Sequence, residues 1–239
     1  MLSKNTGIVL SKIKYKDYDL IVKCYTENRG VVSYLIKGVL KSKKSAMKTV
    51  YFQPLSQIQY EETFKPNQSL HYFKEVKPIL VYKTLHHHIY KSSIVLFIAE
   101  ILSQVLKEES SDKQLFHFLK HAFEYLDAED DYANFHLLFL LRLTRYFGFE
   151  PEDSRVNYKY FNLESGVFEN HPTSAYTLQD ANLNILKQLL RCNFASLEAI
   201  KLNSKQRQSF LNALLLYYEL HIDGFRQPKS LAVLQAVFH

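Results

Sequence analysis

The stretch KGVLKSKKSAMKTVYF, residues 37–52, concentrates positive charge between two pairs of strand-like runs. No Asp or Glu occurs anywhere from residue 28 to residue 60. A cationic segment held between strands is suited to contact phosphate groups, although many lysine runs are only solvated loops. The lysines of this stretch are Lys37, Lys41, Lys43, Lys44 and Lys48.

The rest of the chain does not share this charge. Residues 1–80 contain 14 Lys and Arg against 6 Asp and Glu, a net charge of +8. Residues 81–239 contain 16 against 18, a net charge of −2, and the two parts sum to +6. An acidic partner such as nucleic acid is therefore expected on the first third of the chain.

Composition indicates a globular protein with a packed core, because 47% of the 239 residues are hydrophobic. Cys24 and Cys192 are the only cysteines, which argues against a disulfide framework or a thiolate zinc site. The first residues, MLSKNTG, lack the apolar segment of a secretory signal. Polar residues interrupt the longest apolar run, near residues 94–106, and it is too short to cross a membrane. We expect a soluble cytoplasmic protein with no membrane partner.

Five short runs in the first third have the composition and alternation of β-strands. The longest connection, which contains the basic stretch, follows the third run. This arrangement favours a five-stranded OB-fold barrel, and an SH3-like barrel that binds a peptide is the structural alternative. The runs cover residues 7–15, 20–26, 31–36, 55–64 and 70–76.

Aromatic residues close to the basic stretch have two interpretations. OB-folds bind single-stranded nucleic acid by stacking bases on aromatic rings beside a cationic groove. Small barrels also fill their interior with large side chains, so each ring could equally belong to the core. The candidates are Tyr34, Tyr51, Phe52 and Tyr60.

After Pro78 the apolar spacing changes to that of helices, and we place a domain boundary there. The prediction is an α+β protein, with an OB-fold nucleic-acid-binding domain over residues 1–80. A mostly helical domain with a short hairpin at 158–168 then covers residues 81–239. The predicted helices occupy about 90–107, 111–126, 132–147, 177–190 and 203–220, with a short helix in the tail.

Arg142 and Arg145 lie in the nearly all-apolar segment FHLLFLLRLTRYF. A buried guanidinium without a partner is costly. These arginines therefore pair internally, reach the surface along their stems, or line a pocket for an anionic ligand.

The sequence contains no catalytic constellation. It has no GxxxxGK[ST], GxGxxG or GxSxG motif, so neither nucleotide hydrolysis nor dinucleotide binding is indicated. Residues 86–88 are three consecutive histidines, but adjacent residues on a helix point in different directions and cannot hold one metal ion. We expect no enzyme activity, no metal and no cofactor.

Several motifs in chain order resemble the RecO family of bacterial recombination mediators. The N-terminal ones are Gly7-Ile8-Val9-Leu10, then Tyr18, Ile21, Thr26 and Gly30, then Lys37-Gly38 with the basic run that ends at Gln53-Pro54. The later ones are Gly148-Phe149-Glu150-Pro151, the segment YFNLESGVF at 160–168, and GFRQPKSL at 224–231. Each motif alone is weak, but the ordered set spans the whole chain.

The resemblance implies an N-terminal OB-fold followed by a helical domain, in a non-enzymatic, nucleoid-associated protein of DNA repair. Family members bind single- and double-stranded DNA, anneal complementary strands and bind the acidic C-terminal tail of the single-stranded-DNA-binding protein. A tail that ends in acidic residues and Phe needs both a cation and an apolar cleft, so Arg142 and Arg145 are the candidate residues for a tail-peptide pocket. With RecR, and often RecF, they help RecA load onto covered DNA. The implied DNA contacts fall on the basic run, and Arg29 in the turn before the third strand is a further candidate.

One departure concerns zinc. Many family members carry a four-cysteine zinc site in the region that corresponds to residues 151–177, and this chain has no cysteine there. Zinc binding is therefore not implied, and we expect Tyr160, Phe161 and Phe168 to hold the hairpin by apolar contacts. An RNA-binding OB-fold protein of translation or ribosome assembly, and a peptide-binding scaffold, remain alternatives to a recombination mediator.

Overall fold

The computed structural model describes residues 2–41, 47–63, 65, 68–106 and 111–238. The chain forms two compact units, Met1–Ala128 and Glu129–His239. No helix among the described residues is long and apolar enough to cross a membrane. The α+β class predicted from the sequence is confirmed: a five-stranded sheet comes first, and a helical region with a small sheet follows.

The first unit is built on a five-stranded antiparallel sheet. Its strands are β1 (Leu2–Tyr15), β2 (Asp19–Thr26), β3 (Gly30–Ile36), β4 (Gln57–Thr63) and β5 (Phe73–Pro78). Their order in the sheet is β3-β2-β1-β4-β5, and a 3-10 helix, Met47–Phe52, lies between β3 and β4 in the chain. The core holds the inward side chains of the first four strands, such as Val9, Val22 and Ile58, all fully buried.

The two edge strands of this sheet approach each other at one point. Tyr34 of β3 forms an isolated parallel bridge with His71, just before β5. Leu35 N–H donates to His71 O at 2.8 Å, and His71 N–H donates to Ser33 O at 2.9 Å. Five strands with an insert between the third and fourth match the predicted order, and closure into a complete barrel stays a prediction.

Two helices belong to the same compact unit, α1 (Ile89–Val105) and α2 (Lys113–Ala128). Tyr25 Oη donates to Asp112 O at 3.2 Å, which ties β2 to the start of α2. The Asp112 carboxylate caps α2 by accepting from the backbone N–H of Gln114 at 2.7 Å. The boundary after residue 80, which rests on the change of sequence period, stays a prediction.

The second unit is mainly helical. Its central helix, α3 (Phe135–Leu143), is buried except at Arg142 and continues into a 3-10 helix, Thr144–Phe147. This continuation ends at Gly148, whose φ of +78° suits glycine. The other helices are α4 (Asp180–Leu190), the 3-10 helix Phe194–Ala199, α5 (Ser204–His221) and α6 (Leu231–Val237).

A three-stranded sheet in this unit extends the predicted hairpin, with β6 (Tyr160–Asn162), β7 (Val167–Glu169) and β8 (Thr177–Leu178) in the order β7-β6-β8. Phe161 and Phe168 are 1% exposed, with ring centroids 4.9 Å apart. Asn162 Nδ2 donates to Glu169 Oε1 and Thr173 Oγ1, each at 3.0 Å. Apolar packing and an amide-centred network therefore hold this sheet together.

Candidate nucleic-acid interface

The basic turn, residues 37–41, is fixed to the hairpin that joins β1 and β2. Gly38 N–H donates to Asp19 Oδ1 at 2.7 Å, and Leu40 N–H donates to Tyr18 O at 3.0 Å. Gly38 has φ of +65°, which glycine adopts without strain. Both Lys37 and Lys41 are exposed. The local fold therefore presents two cations at a defined place instead of leaving them on a free loop.

Three candidate lysines cannot be placed in full. Lys43 and Lys44 lie outside the described residues. Lys48 lies in the 3-10 helix Met47–Phe52, but its side chain is outside the described part of the structure. Lys37 and Lys41 are the predicted lysines on which the site can be built.

The β1–β2 hairpin carries a second group of cations that the sequence reasoning missed. β4 pairs with β1 only as far as Ile8, whereas β2 pairs with it up to Tyr15, so the hairpin projects beyond β4. Its end exposes lysines beside aromatic rings, the combination typical of nucleic-acid-binding surfaces. The exposed side chains include Lys12, Lys14, Lys16, Tyr15 and Tyr18.

The two groups of cations lie at the same end of the sheet. Lys14 pairs with Leu20, and Leu20 pairs with Ile36, so Lys14 and Ile36 are two strand spacings apart, roughly 10 Å. Lys12 Nζ donates to Thr49 O at 3.4 Å, which connects the hairpin to the 3-10 helix after the basic turn. Partial burial lowers the pKa of Lys12. We call Lys12, Lys14, Lys16, Lys37 and Lys41 the basic surface.

Arg29 does not belong to the basic surface. It precedes β3 whereas Lys37 follows it, and a seven-residue strand separates them by roughly 20 Å. Its guanidinium forms an ion pair with Glu62, whose side chain is fully buried. Asn5 Nδ2 also donates to Glu62 Oε1, at 2.7 Å. The charge of Arg29 therefore compensates a buried carboxylate.

Three of the four candidate stacking residues are core residues in this structure. Tyr34, Phe52 and Tyr60 are 0%, 3% and 1% exposed, and Tyr34 Oη donates to Tyr60 Oη at 2.8 Å. Burial raises the pKa of both tyrosines. A base cannot reach these rings without displacing the core, so we do not carry them into the interface. Tyr51 keeps part of its surface and stays a candidate.

The two arginines of the second unit are in different environments. Arg142 Nη2 donates to Cys192 O at 2.6 Å and to Leu190 O at 3.0 Å, so it satisfies carbonyls at the end of α4. Its Nη1 lies 3.9 Å from Glu150 Oε1. Arg145, in the 3-10 helix Thr144–Phe147, is exposed. Internal pairing, one of the three outcomes considered for these residues, describes Arg142.

The histidines at 86–88 do not converge. His86 Nε2 lies 2.9 Å from Pro54 O, and burial lowers the pKa of this ring. His87 and His88 are exposed. Across the described ranges, no group of three His, Cys, Asp or Glu side chains is placed to hold a metal ion.

Comparison with known proteins covers the chain from end to end. A family model described as "Recombination protein O N terminal" matches residues 1–82, and one described as "Recombination protein O C terminal" matches residues 86–232. A protein of Christiangramia forsetii named DNA repair protein RecO is 44% identical over the full length of both chains. Proteins of the same name from Flavobacterium johnsoniae and Bacteroides fragilis are 39% and 37% identical, again over full length. This chain belongs to the RecO family.

Proposed function

We propose that this protein is a non-enzymatic recombination mediator of DNA repair that binds single- and double-stranded DNA and anneals complementary strands. The observation that carries the proposal is the basic surface at one end of the sheet. Strand pairing positions its hairpin lysines, and hydrogen bonds from the N–H groups of Gly38 and Leu40 fix the basic turn to the same hairpin. Membership of a family whose relatives are named DNA repair proteins supports the same conclusion. In this proposal the five-stranded sheet of the first unit binds DNA in the bacterial cytoplasm, at the nucleoid.

Phosphate contacts would supply the affinity without reading sequence, because lysine contacts to the DNA backbone fix position and carry no base information. About four to five such contacts on a single strand predict a slope near −3 when log affinity is plotted against log salt concentration. Neutralising phosphate charge would also let two like-charged strands approach, which is the physical basis of the annealing activity.

The direct test is fluorescence anisotropy of a labelled single strand, titrated at several salt concentrations. We expect a Lys37→Ala/Lys41→Ala variant to bind more weakly, with a slope shallower by about 1.4. The matched control is Lys201→Ala/Lys205→Ala, which removes two exposed lysines from the second unit and the same net charge. An unchanged affinity and slope in the basic-turn variant would overturn the assignment of that turn. Preference for structured RNA would favour an RNA-binding protein instead.

We further propose that the second unit binds the acidic tail of the single-stranded-DNA-binding protein. An exposed cation beside an apolar helix suits a peptide that ends in acidic residues and Phe. Arg145 is the better residue to test, because removing Arg142 would also leave the carbonyls of Leu190 and Cys192 without their donor. Loss of tail-peptide binding in a folded Arg145→Ala variant would support the pocket, and normal binding would remove Arg145 from it.

The remaining partners follow from the family. We propose that RecR, together with RecF where it is present, acts with this protein and that RecA is loaded indirectly. Strand annealing and RecA loading on DNA covered by the single-stranded-DNA-binding protein can be assayed with and without RecR. If the basic-surface variants bind DNA poorly yet anneal normally, charge neutralisation is not the mechanism of annealing.

A further inference from the structure

A cleft opens where the two edge strands of the first unit separate. β3 and the chain before β5 are joined at Tyr34 and His71, and Ile36 and Phe73, which follow these two residues along their strands, line a cavity of about 520 Å³. Tyr51, in the 3-10 helix Met47–Phe52, forms part of the remaining wall. This volume is within the range of pockets that accept organic ligands, about 300–1,000 Å³.

The floor of the cleft is apolar and fixed by ring packing. Phe73 stacks on Tyr34, with centroids 4.0 Å apart and planes 15° apart, and lies 6.0 Å from Phe52 with planes 6° apart. Val76 packs against the same core. Because these rings are held by their neighbours, the cleft does not depend on a ligand to form.

Accessible aromatic surface lies in the cleft and next to it. Tyr51 is half-buried in its wall. Tyr72, immediately before Phe73, is 45% exposed, and Lys37 Nζ lies 5.1 Å from the centroid of its ring. Lys37 directly follows Ile36, so this cation–π pair stands where the strands diverge. An accessible ring next to a lysine offers one surface for a base and one charge for its phosphate.

The rim of the cleft favours a nucleic acid over a polypeptide. Lys74 and Lys77 on β5 are exposed and line the cleft, together with one acidic residue, Glu75. Lysine and proline on an edge strand discourage the addition of another β-strand, and β5 ends at Pro78. The same lysines attract phosphate groups.

We infer that this cleft receives unpaired bases of a DNA single strand, with Tyr51 and Tyr72 as stacking surfaces and Lys37, Lys74 and Lys77 facing the phosphates. The inference rests on the proposed DNA-binding function and adds a basis for discriminating single strands from duplexes. A duplex keeps its bases stacked inside the helix, so it can use the phosphate-binding lysines but not the cleft.

The test compares the affinities for one single strand and for its duplex in the wild type and in a Tyr51→Ala/Tyr72→Ala variant. Loss of even one base stack weakens single-strand binding about fivefold or more, whereas duplex binding stays within about twofold. The single variant Tyr72→Phe keeps the ring and should bind the single strand as the wild type does. The fluorescence of 2-aminopurine placed in the strand should be quenched by the wild type but not by the double variant. The matched control is Tyr90→Ala, which removes a tyrosine of similar exposure, 39%, from α1 of the same unit.

Two results would overturn the inference while leaving the proposed function intact. One is an unchanged single-strand affinity in a folded Tyr51→Ala/Tyr72→Ala variant, which would leave a polypeptide as the occupant of the β5 edge. The other is an equal loss for both DNA forms, which would make the tyrosines general contacts. A wild-type protein that binds neither form would overturn the proposed function as well.

Discussion

The two ends of β3 use positive charge in opposite ways. At its start, Arg29 is paired with Glu62, a carboxylate with no exposed side-chain surface. At its end, Lys37 projects from a turn whose backbone is bound to Asp19, and its ammonium group lies over the Tyr72 ring. The first charge stabilises the fold and the second is placed at the surface. Net charge alone does not distinguish these roles, because a count of cations gives both residues the same weight.

Two other cations, like Arg29, stabilise the fold. Lys91 in α1 is 1% exposed, and its Nζ donates to Thr84 Oγ1 at 2.9 Å and to Asp127 O at 3.0 Å. Arg142 similarly satisfies carbonyls at the end of α4. Substituting such residues changes stability first, so an apparent loss of binding in these variants needs a folding control.

The largest effect is expected from separating the pair at the start of β3. Arg29→Ala leaves Glu62 buried without its cation and should lower the free energy of unfolding by about 3 kcal/mol, the lower end for buried pairs, since Arg29 is partly exposed. Arg29→Gln/Glu62→Gln removes both charges and should lower the free energy of unfolding clearly less than Arg29→Ala does. Urea unfolding measures both variants. If Arg29→Ala were as stable as the wild type, the pair would have no structural role and the comparison would fail.

The next largest effect concerns the hairpin end. Lys12→Ala/Lys14→Ala/Lys16→Ala removes three proposed phosphate contacts and should make the salt slope of single-strand binding shallower by about 2. At 0.1 M salt this amounts to a loss of affinity of roughly a hundredfold. Anisotropy at four or more salt concentrations gives the slope. Wild-type affinity in this variant would exclude the hairpin lysines from the interface and leave the lysines of the basic stretch, residues 37–52.

A smaller effect is expected at Lys16, where one substitution should change stability and DNA affinity in opposite directions. Lys16 has φ of +53°, a left-handed conformation that is strained for a residue with a side chain. Lys16→Gly should therefore stabilise the protein by at most about 1 kcal/mol, because glycine also gains entropy in the unfolded chain. The same change should weaken DNA binding about fivefold at 0.1 M salt. Thermal unfolding and anisotropy are measured on the same sample, and stability and affinity that fall together would contradict the separation.

The smallest expected effect is on the loss of stability at low pH, through the carboxylate of Asp127. Burial alone would raise the pKa of Asp127, but N–H donors from Lys83, Thr84 and Leu85 outweigh it and hold the pKa below its usual value. A lowered folded-state pKa contributes stability above the unfolded pKa, near 3.9, that is lost as pH falls through the folded value. Urea unfolding between pH 6 and pH 3 should show a weaker acid dependence in Asp127→Asn than in the wild type. Parallel profiles would show that this carboxylate is not stabilised in the fold.

Local sequence signals were sufficient for much of the fold. The order of the five strands and the start of α5 near residue 203 follow from residue type and spacing, and the structure confirms them. Element ends were harder to predict, because pairing decides them. β5 was expected at 70–76 and spans Phe73–Pro78, while β1 begins at Leu2 because β4 pairs with its first residues.

The candidate site was only partly predictable. The alternation in Lys12-Ile13-Lys14-Tyr15 indicates a half-buried strand, yet Ile13 is 59% exposed because the hairpin projects beyond β4. The length of the neighbouring strand, which no local pattern encodes, therefore determines that these lysines are on the surface. The burial of Tyr34 and Tyr60 likewise depends on contacts between strands far apart in sequence. The excess of lysine over acid in the first third does not distinguish the exposed cations from those that are paired inside the fold.

We propose that surface cations at the hairpin and basic turn bind DNA, whereas the cation at the start of β3 stabilises the fold. The most direct test compares single-strand affinity at 0.1 M salt for Lys14→Ala/Lys16→Ala and for Arg29→Gln/Glu62→Gln, with Lys201→Ala/Lys205→Ala as the charge-matched control. We predict a loss of roughly 25-fold for the first variant and affinities within about twofold of the wild type for the other two. Equal losses in all three variants, or a loss only in the Arg29 variant, would contradict the account.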